Sequence, residues 1–236
     1  MMNKLLLLGL ILPLTVAQAQ AQTGLQRAKA ALPPTAAQTL EETVAAAHAR
    51  GLPTEPLVDK ALEGVAKNKP AAMILNAIRQ KLELLTRADA ALRAYGPPAP
   101  ADVTATADVL QRGVSDDVVK RVRAGARQNE PIGIALHTVA DLLDRDVPVD
   151  VALEVLSSWR ERSGRPDELR DLPAEVERLV RRGASPSAAG RSVAASMKSN
   201  ARPGGPPGQN RDRAGPKKKN VPVSPGTPPP GKPKNK

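Results

Sequence analysis

Turn-forming residues divide the middle of the chain into helical segments, and this punctuation restricts the fold more than any other feature. From about residue 33 to residue 198, proline, glycine or a serine N-cap recurs every 10 to 25 residues or so. Proline suits the first turn of a helix, and glycine suits the position just past its end. The pattern predicts eight or nine short helices. One segment is predicted to begin at Pro166, a separate helix at Pro173, and the last helix to end at Lys198.

Apolar residues follow the helical period within these segments. Ile74, Ile78, Leu82 and Leu85 fall on one face of the third predicted helix. Strands favour aromatic and β-branched residues, whereas this chain has no Phe, one Trp and one Tyr. No window alternates long enough to predict a strand. The fold class is therefore expected to be all-α, built of stacked helical hairpins.

Residues 50–85 and 112–143 resemble each other, and we interpret the likeness as an internal duplication. A third, degenerate copy of the beginning of this repeat follows at residues 182–185. The alternative is that the Arg-Gly-apolar sequence that both segments contain is simply a common way to end one helix and begin another. The shared features are an Arg-Gly-apolar phrase at 50–52 and 112–114 and an Asn-x-Pro turn at 68–70 and 129–131.

Residues 1–21 have the features of a cleavable export signal. Lys4 provides the positive charge, an apolar run of 12 residues follows at 5–16, and small-x-small sites end at Ala19 and Ala21. A membrane anchor needs about 20 apolar residues, so this run is too short, and it contains Pro13. Without cysteine the chain can form neither a disulfide nor a lipid-modified amino terminus. We expect a periplasmic or secreted protein whose helical domain spans 22–198.

The segment 199–236 differs in composition from the rest of the chain. It holds ten Pro and six Gly residues, with almost no apolar side chains for a core. Such a segment cannot offset its ordering entropy, so it is predicted to be a disordered tail. Counted from Lys198, it carries a net charge of +9, whereas residues 23–197 carry 24 basic and 23 acidic residues. The high isoelectric point therefore belongs to the tail.

The tail supplies the predicted binding residues. Its cations suit anionic lipid, lipopolysaccharide or another acidic polymer. Nucleic acid is not expected, because the chain is predicted to be exported and the tail lacks aromatic side chains for base stacking. The alternative is a solvated tail that keeps the protein soluble. The predicted contact residues are Arg202, Arg211, Arg213, Lys217, Lys218, Lys219, Lys232, Lys234 and Lys236.

No set of residues predicts catalysis, a metal site or a cofactor site. Two histidines without cysteine do not make a zinc site, and the aspartates near residue 144 lack the glycine of a calcium loop. The serines have no base at a recognisable spacing, and Gly204-Gly205 is not a phosphate loop. The residues considered are His48, His137, Asp141, Asp144, Asp146, Asp150, Ser157, Ser158 and Ser163.

The two aromatic residues are given structural roles. Trp159 follows Val155 and Leu156 on an apolar side and is predicted to be buried, whereas Tyr95 precedes Gly-Pro-Pro and is predicted to staple a helix end. The sequence as a whole predicts an exported, non-catalytic interaction or adaptor protein that binds another protein through its helical surface. The alternatives are a structural or solubilising protein without a specific ligand and, more remotely, a hydrolase with a carboxylate pair.

Overall fold

The computed structural model describes residues 23–162 and 165–199 and is all-helical in those ranges, which confirms the predicted fold class. The predicted export signal and all nine predicted tail residues lie outside the described residues. A helix α1 covers 23–30. It is followed by α2 (Pro34–Ala49), α3 (Glu55–Ala66), α4 (Ala71–Arg93), α5 (Pro100–Gln111), α6 (Asp116–Ala124), α7 (Gly133–Leu143), α8 (Val149–Glu161), α9 (Pro166–Arg181) and α10 (Pro186–Lys198).

The predicted break at Pro173 is wrong, because α9 continues through this proline. A proline inside a helix has no N–H and leaves the carbonyl four residues earlier without its partner. Here that carbonyl belongs to Leu169, and the Thr138 hydroxyl of α7 donates to it over 3.1 Å in a buried position. The replacement bond lets the helix continue, and it ties α9 to α7.

Helix α6 ends at Ala124, although the sequence pattern predicts a helix to Gln128. Side-chain hydrogen bonds replace the last helical turn. The Arg123 guanidinium donates to the carbonyls of Arg127 and Glu130, and the Glu130 carboxylate accepts from the backbone N–H of Arg127. These bonds hold a compact turn before Pro131.

A single type of turn ends five of the helices in the described ranges. In each, a residue with positive φ follows the last helical turn, and the next N–H bonds to a carbonyl five residues earlier, as in a Schellman motif. An arginine precedes the positive-φ residue in four of them, whereas Lys67 precedes Asn68 in the fifth, which ends α3. The sequence pattern predicts a helix boundary at Arg145–Pro148, but the internal likeness does not include the turn at Asp146, because it lacks the glycine of the Arg-Gly phrase. The five residues are Gly51, Asn68, Gly113, Asp146 and Gly183, with φ values of 71°, 51°, 92°, 59° and 97°.

Each helix from α2 onward makes its substantial contacts with the next one or two helices along the chain. Helices α5, α7 and α9 form one continuous row, and α8 packs on α10 in the other row. Helices α6 and α8 make no comparable contact. Such neighbour-only packing is typical of helical repeat proteins, which present extended surfaces. No helix in the described ranges combines the length and apolar character that a membrane crossing requires.

Candidate binding cleft at the corner between α4 and α5

A cleft of about 330 Å³ lies where the α4–α5 connection meets the turn between α6 and α7. The connection bends at Gly96, whose φ of 112° lies in the region that favours glycine. Pro97 and Pro98 follow and stiffen the corner before α5 begins. On the opposite side, Asn129 adopts a φ of 61° and precedes Pro131. Two rigid turns therefore form the rim.

The apolar side of the cleft is formed by Tyr95, Pro97 and Pro98, with Leu92 beside them. Leu92 belongs to the core, whereas the Tyr95 side chain is 43% exposed. The prediction that Tyr95 staples the end of α4 stays a prediction. An exposed aromatic ring beside two prolines forms an apolar shelf at the surface.

The polar feature of the cleft is Asp102, in the first turn of α5. Its side chain is only 8% exposed. Its Oδ1 accepts the backbone N–H of Ile132, at the start of α7, over 3.0 Å. Among the described residues it has no lysine, arginine or histidine within ion-pair distance. A nearly buried carboxylate without a cation is unusual, since burial of a charge is costly.

Arg123 lines the same cleft but is held by other groups. Its Nη1 donates to the carbonyl of Glu130 over 2.9 Å, and its Nη2 donates to that of Arg127 over 3.1 Å. The guanidinium therefore shapes the wall formed by the α6–α7 turn and forms no ion pair with Asp102. The amides of Gln128 and Asn129 complete this wall.

A second, more open groove of about 440 Å³ lies between α6 and α8, where the row of stacked helices is interrupted. Arg160 crosses it and donates to the carbonyl of Val122 over 3.2 Å. Its Nε lies 3.5 Å from Glu130 but makes no hydrogen bond. Burial lowers the pKa of Arg160, and the charge of Glu130 opposes that change. A Cβ on residue 125 would lie 2.8 Å from Arg160 Nη1, so a larger residue there would require the guanidinium to shift.

The aspartates considered for calcium have other partners. The Arg112 Nη2 donates to Asp141 and Asp144, and these hydrogen bonds, led by that to Asp144, raise the pKa of Arg112. Asp146 forms the turn after α7, and Asp150 pairs with Arg121. The four side chains therefore do not converge on one point.

The remaining candidates are also dispersed. Within the described ranges, no three His, Asp or Glu side chains are close enough to hold a metal ion. Ser157 donates to Glu161, and Ser158 donates to the carbonyl of Glu154. Trp159 is buried as predicted, and its Nε1 donates to the carbonyl of Arg165 over 3.1 Å. Ser163 and Gly204-Gly205 lie outside the described residues.

Sequence reasoning missed Asp102, because an acid in the first turn of a helix is ordinary. A signal does exist in the internal likeness. Extending the match backward from Arg50 and Arg112 pairs Asp102 with Leu40, which is fully buried in α2. An acid at a position that is apolar in the matching helix is the feature that would have identified the cleft.

Comparison with protein-family models, with curated proteins and with solved structures finds no match for this chain.

Proposed function

We propose that this chain is an exported, non-catalytic interaction protein. Its helical array binds a partner protein at the corner cleft, and its basic segment 199–236 contacts anionic components of the cell envelope. The observation that carries the protein-binding part is the pairing of an exposed Tyr95 with the nearly buried Asp102 in one cleft. Binding sites commonly combine an apolar lining with a few fixed polar groups.

Two sequence features support the location and the envelope contact. The export signal at 1–21 would take the chain out of the cytoplasm. The net charge of the tail contrasts with a near-neutral helical region, so the tail would dominate attraction to an anionic surface.

Site-specific photo-crosslinking tests the protein-binding part. A benzoylphenylalanine replaces Tyr95 in the full chain, and the control carries it at Met73, which in the described ranges is the other large apolar side chain that is well exposed. We expect a discrete protein adduct in the cell-envelope fraction from position 95 and none from position 73. The same pattern at both positions, or no adduct at either, would contradict a partner at the cleft.

Vesicle co-sedimentation tests the envelope contact with charge-matched variants. One variant replaces six tail cations with glutamine, and its control replaces six exposed helical-region cations. Counterion release predicts that only the tail variant loses most of its binding to anionic vesicles at low salt, and that all proteins bind weakly at roughly half-molar salt. Equal loss in both variants would show that total charge, not the tail, sets the binding. The tail set is Arg202, Arg211, Arg213, Lys217, Lys218 and Lys219, and the control set is Lys69, Arg79, Lys120, Arg170, Arg182 and Arg191.

A further inference from the structure

We propose that the corner cleft binds an extended, proline-containing segment of a partner protein and that an arginine or lysine of this segment pairs with Asp102. The inference rests on the proposed protein-binding function and adds the chemistry of the ligand. It follows from three properties of the cleft: an acid lacking a cation, an arginine already occupied, and an apolar shelf.

The first of these properties is the environment of the Asp102 carboxylate. One oxygen of Asp102 accepts the N–H of Ile132, and no described cation lies within ion-pair distance. The residue lines the cleft, and its remaining oxygen is not among the buried side-chain atoms that lack a partner. That oxygen is therefore not fully enclosed, and its residue faces the cleft. A charged donor from a ligand would meet it in a site largely shielded from water, where charge-assisted hydrogen bonds are strongest.

Arg123 does not fill this role within the chain. Its two terminal nitrogens are held by the carbonyls of Arg127 and Glu130. Moving the guanidinium toward Asp102 would leave these carbonyls without their donor and would open the α6–α7 turn. The described residues therefore supply no cation for Asp102, and we assign that cation to the partner segment.

The shelf indicates the backbone that would accompany the cation. Tyr95, Pro97 and Pro98 present a stiff apolar surface. A polyproline II segment suits such a surface, because it is already extended and loses little conformational entropy on docking. The cleft volume of about 330 Å³ lies at the small end of binding sites, so only a few ligand residues would enter.

A host–guest peptide series tests the proposal by calorimetric titration of the full chain. The probes are Ac-Gly-Pro-Pro-X-Pro-Pro-Gly-NH2, with X being arginine, lysine, alanine or glutamate, together with free arginine amide. We expect the arginine and lysine peptides to bind at least about tenfold more tightly than the alanine peptide, as expected for one charge-assisted hydrogen bond. The glutamate peptide and free arginine amide should bind more weakly still.

Three variants separate the ligand contacts from a purely structural role of Asp102. Asp102→Asn keeps an acceptor for the Ile132 N–H and should remove the preference for arginine over alanine while the helical spectrum is unchanged. Tyr95→Ala should weaken all peptides alike, and Met73→Ala should change nothing. Unchanged preference in Asp102→Asn would show that Asp102 only caps α7 and would overturn the proposal. So would equal binding of the glutamate and arginine peptides, or of free arginine amide and the arginine peptide.

If the peptide series fails, the protein-binding function of the cleft and the identity of its ligand can still be judged separately. A crosslinked partner at position 95 combined with no peptide preference would retain the protein-binding cleft and reject the basic, proline-containing ligand. Binding of none of the peptides below about 1 mM would likewise reject the ligand assignment without bearing on the vesicle result.

Discussion

Helices α2–α4 and α5–α7 form two triplets that have turns of the same kind but differ in the length of the third helix and in one buried residue. Both contain the turn at Gly51 or Gly113, and both place an asparagine of positive φ two residues before the proline that opens the third helix. The third helix differs in length: α4 has 23 residues and α7 has 11. The turn at Asp146 ends α7, whereas the matching part of α4 has no turn-forming residue.

The triplets also differ at one buried position. Leu40 is fully buried in α2, and its counterpart Asp102 bonds to the start of α7 and opens on the cleft. The shared turn-forming residues explain why both parts of the chain fold into similar hairpins. The single exchange of an apolar residue for an acid explains why the second triplet, unlike the first, provides the buried acid of the candidate site.

The largest expected effect comes from exchanging the two buried residues. Leu40→Asp places a carboxylate in an apolar site without a partner and should cost at least about 3 kcal/mol of unfolding free energy. Asp102→Leu leaves one buried N–H unpaired but removes a charge, so it should cost about 1–2 kcal/mol. Urea denaturation monitored by circular dichroism measures both. A cost for Leu40→Asp no larger than that for Asp102→Leu would contradict the view that a buried carboxylate needs the partner that Asp102 has in the Ile132 N–H.

A somewhat smaller effect is expected at the buried link between α7 and α9. Thr138→Val removes the donor to the Leu169 carbonyl and should cost about 1–3 kcal/mol. Pro173→Ala restores a backbone N–H that can reach the same carbonyl. In that background Thr138→Val should cost about 1 kcal/mol less, which a double-mutant cycle detects. Strict additivity would contradict the account of why α9 continues through its proline.

The repeated turns allow a test of glycine against aspartate. Gly113→Ala forces a side chain into a φ of 92° and should cost about 1–2 kcal/mol. Asp146→Gly relieves such strain but adds freedom to the unfolded chain, so the net change should stay within about 1 kcal/mol. Thermal unfolding distinguishes the two. A large loss in Asp146→Gly would mean that the aspartate side chain has a further role in the turn.

The smallest effect concerns Glu63, which sits between Lys60 and Lys67 in the first triplet. Hydrogen bonds from Lys60 and then Lys67 lower its pKa from 4.5 to about 2. Since the folded pKa is depressed, the contribution is full above about pH 4.5 and is lost as the pH falls through about 2. Carbon-13 titration should find the low pKa, and replacing both lysines with glutamine should return it toward 4.5. The matching position in the second triplet is Ala124, so no equivalent titration is expected there.

The helices were predictable where local chemistry decides them. Turn-forming residues and apolar spacing predicted most helix positions, because caps act within a few residues. The continuity of α9 was not predictable, since it depends on Thr138, which is 31 residues from Leu169 in sequence. The early end of α6 likewise depends on side-chain bonds across its turn.

The candidate site was only partly visible in the sequence. Tyr95 attracted notice as the sole tyrosine, but its exposure depends on how the α4–α5 corner meets the α6–α7 turn. Asp102 resembles an ordinary first-turn acid until its burial and its bond to Ile132 are seen. Function in this chain is best sought where matching helices carry unlike residues.

Amide chemical-shift mapping tests the central claim, that the cleft around Asp102, and not the matching part of the first triplet, is the binding site. The arginine host peptide is titrated into the full chain labelled with nitrogen-15. The account predicts shifts at residues around the cleft, including Tyr95, Gly96, Asp102 and Ile132, and none at Leu40 or Asn68 in the first triplet. Shifts of similar size in both triplets, or shifts that avoid the cleft, would contradict it.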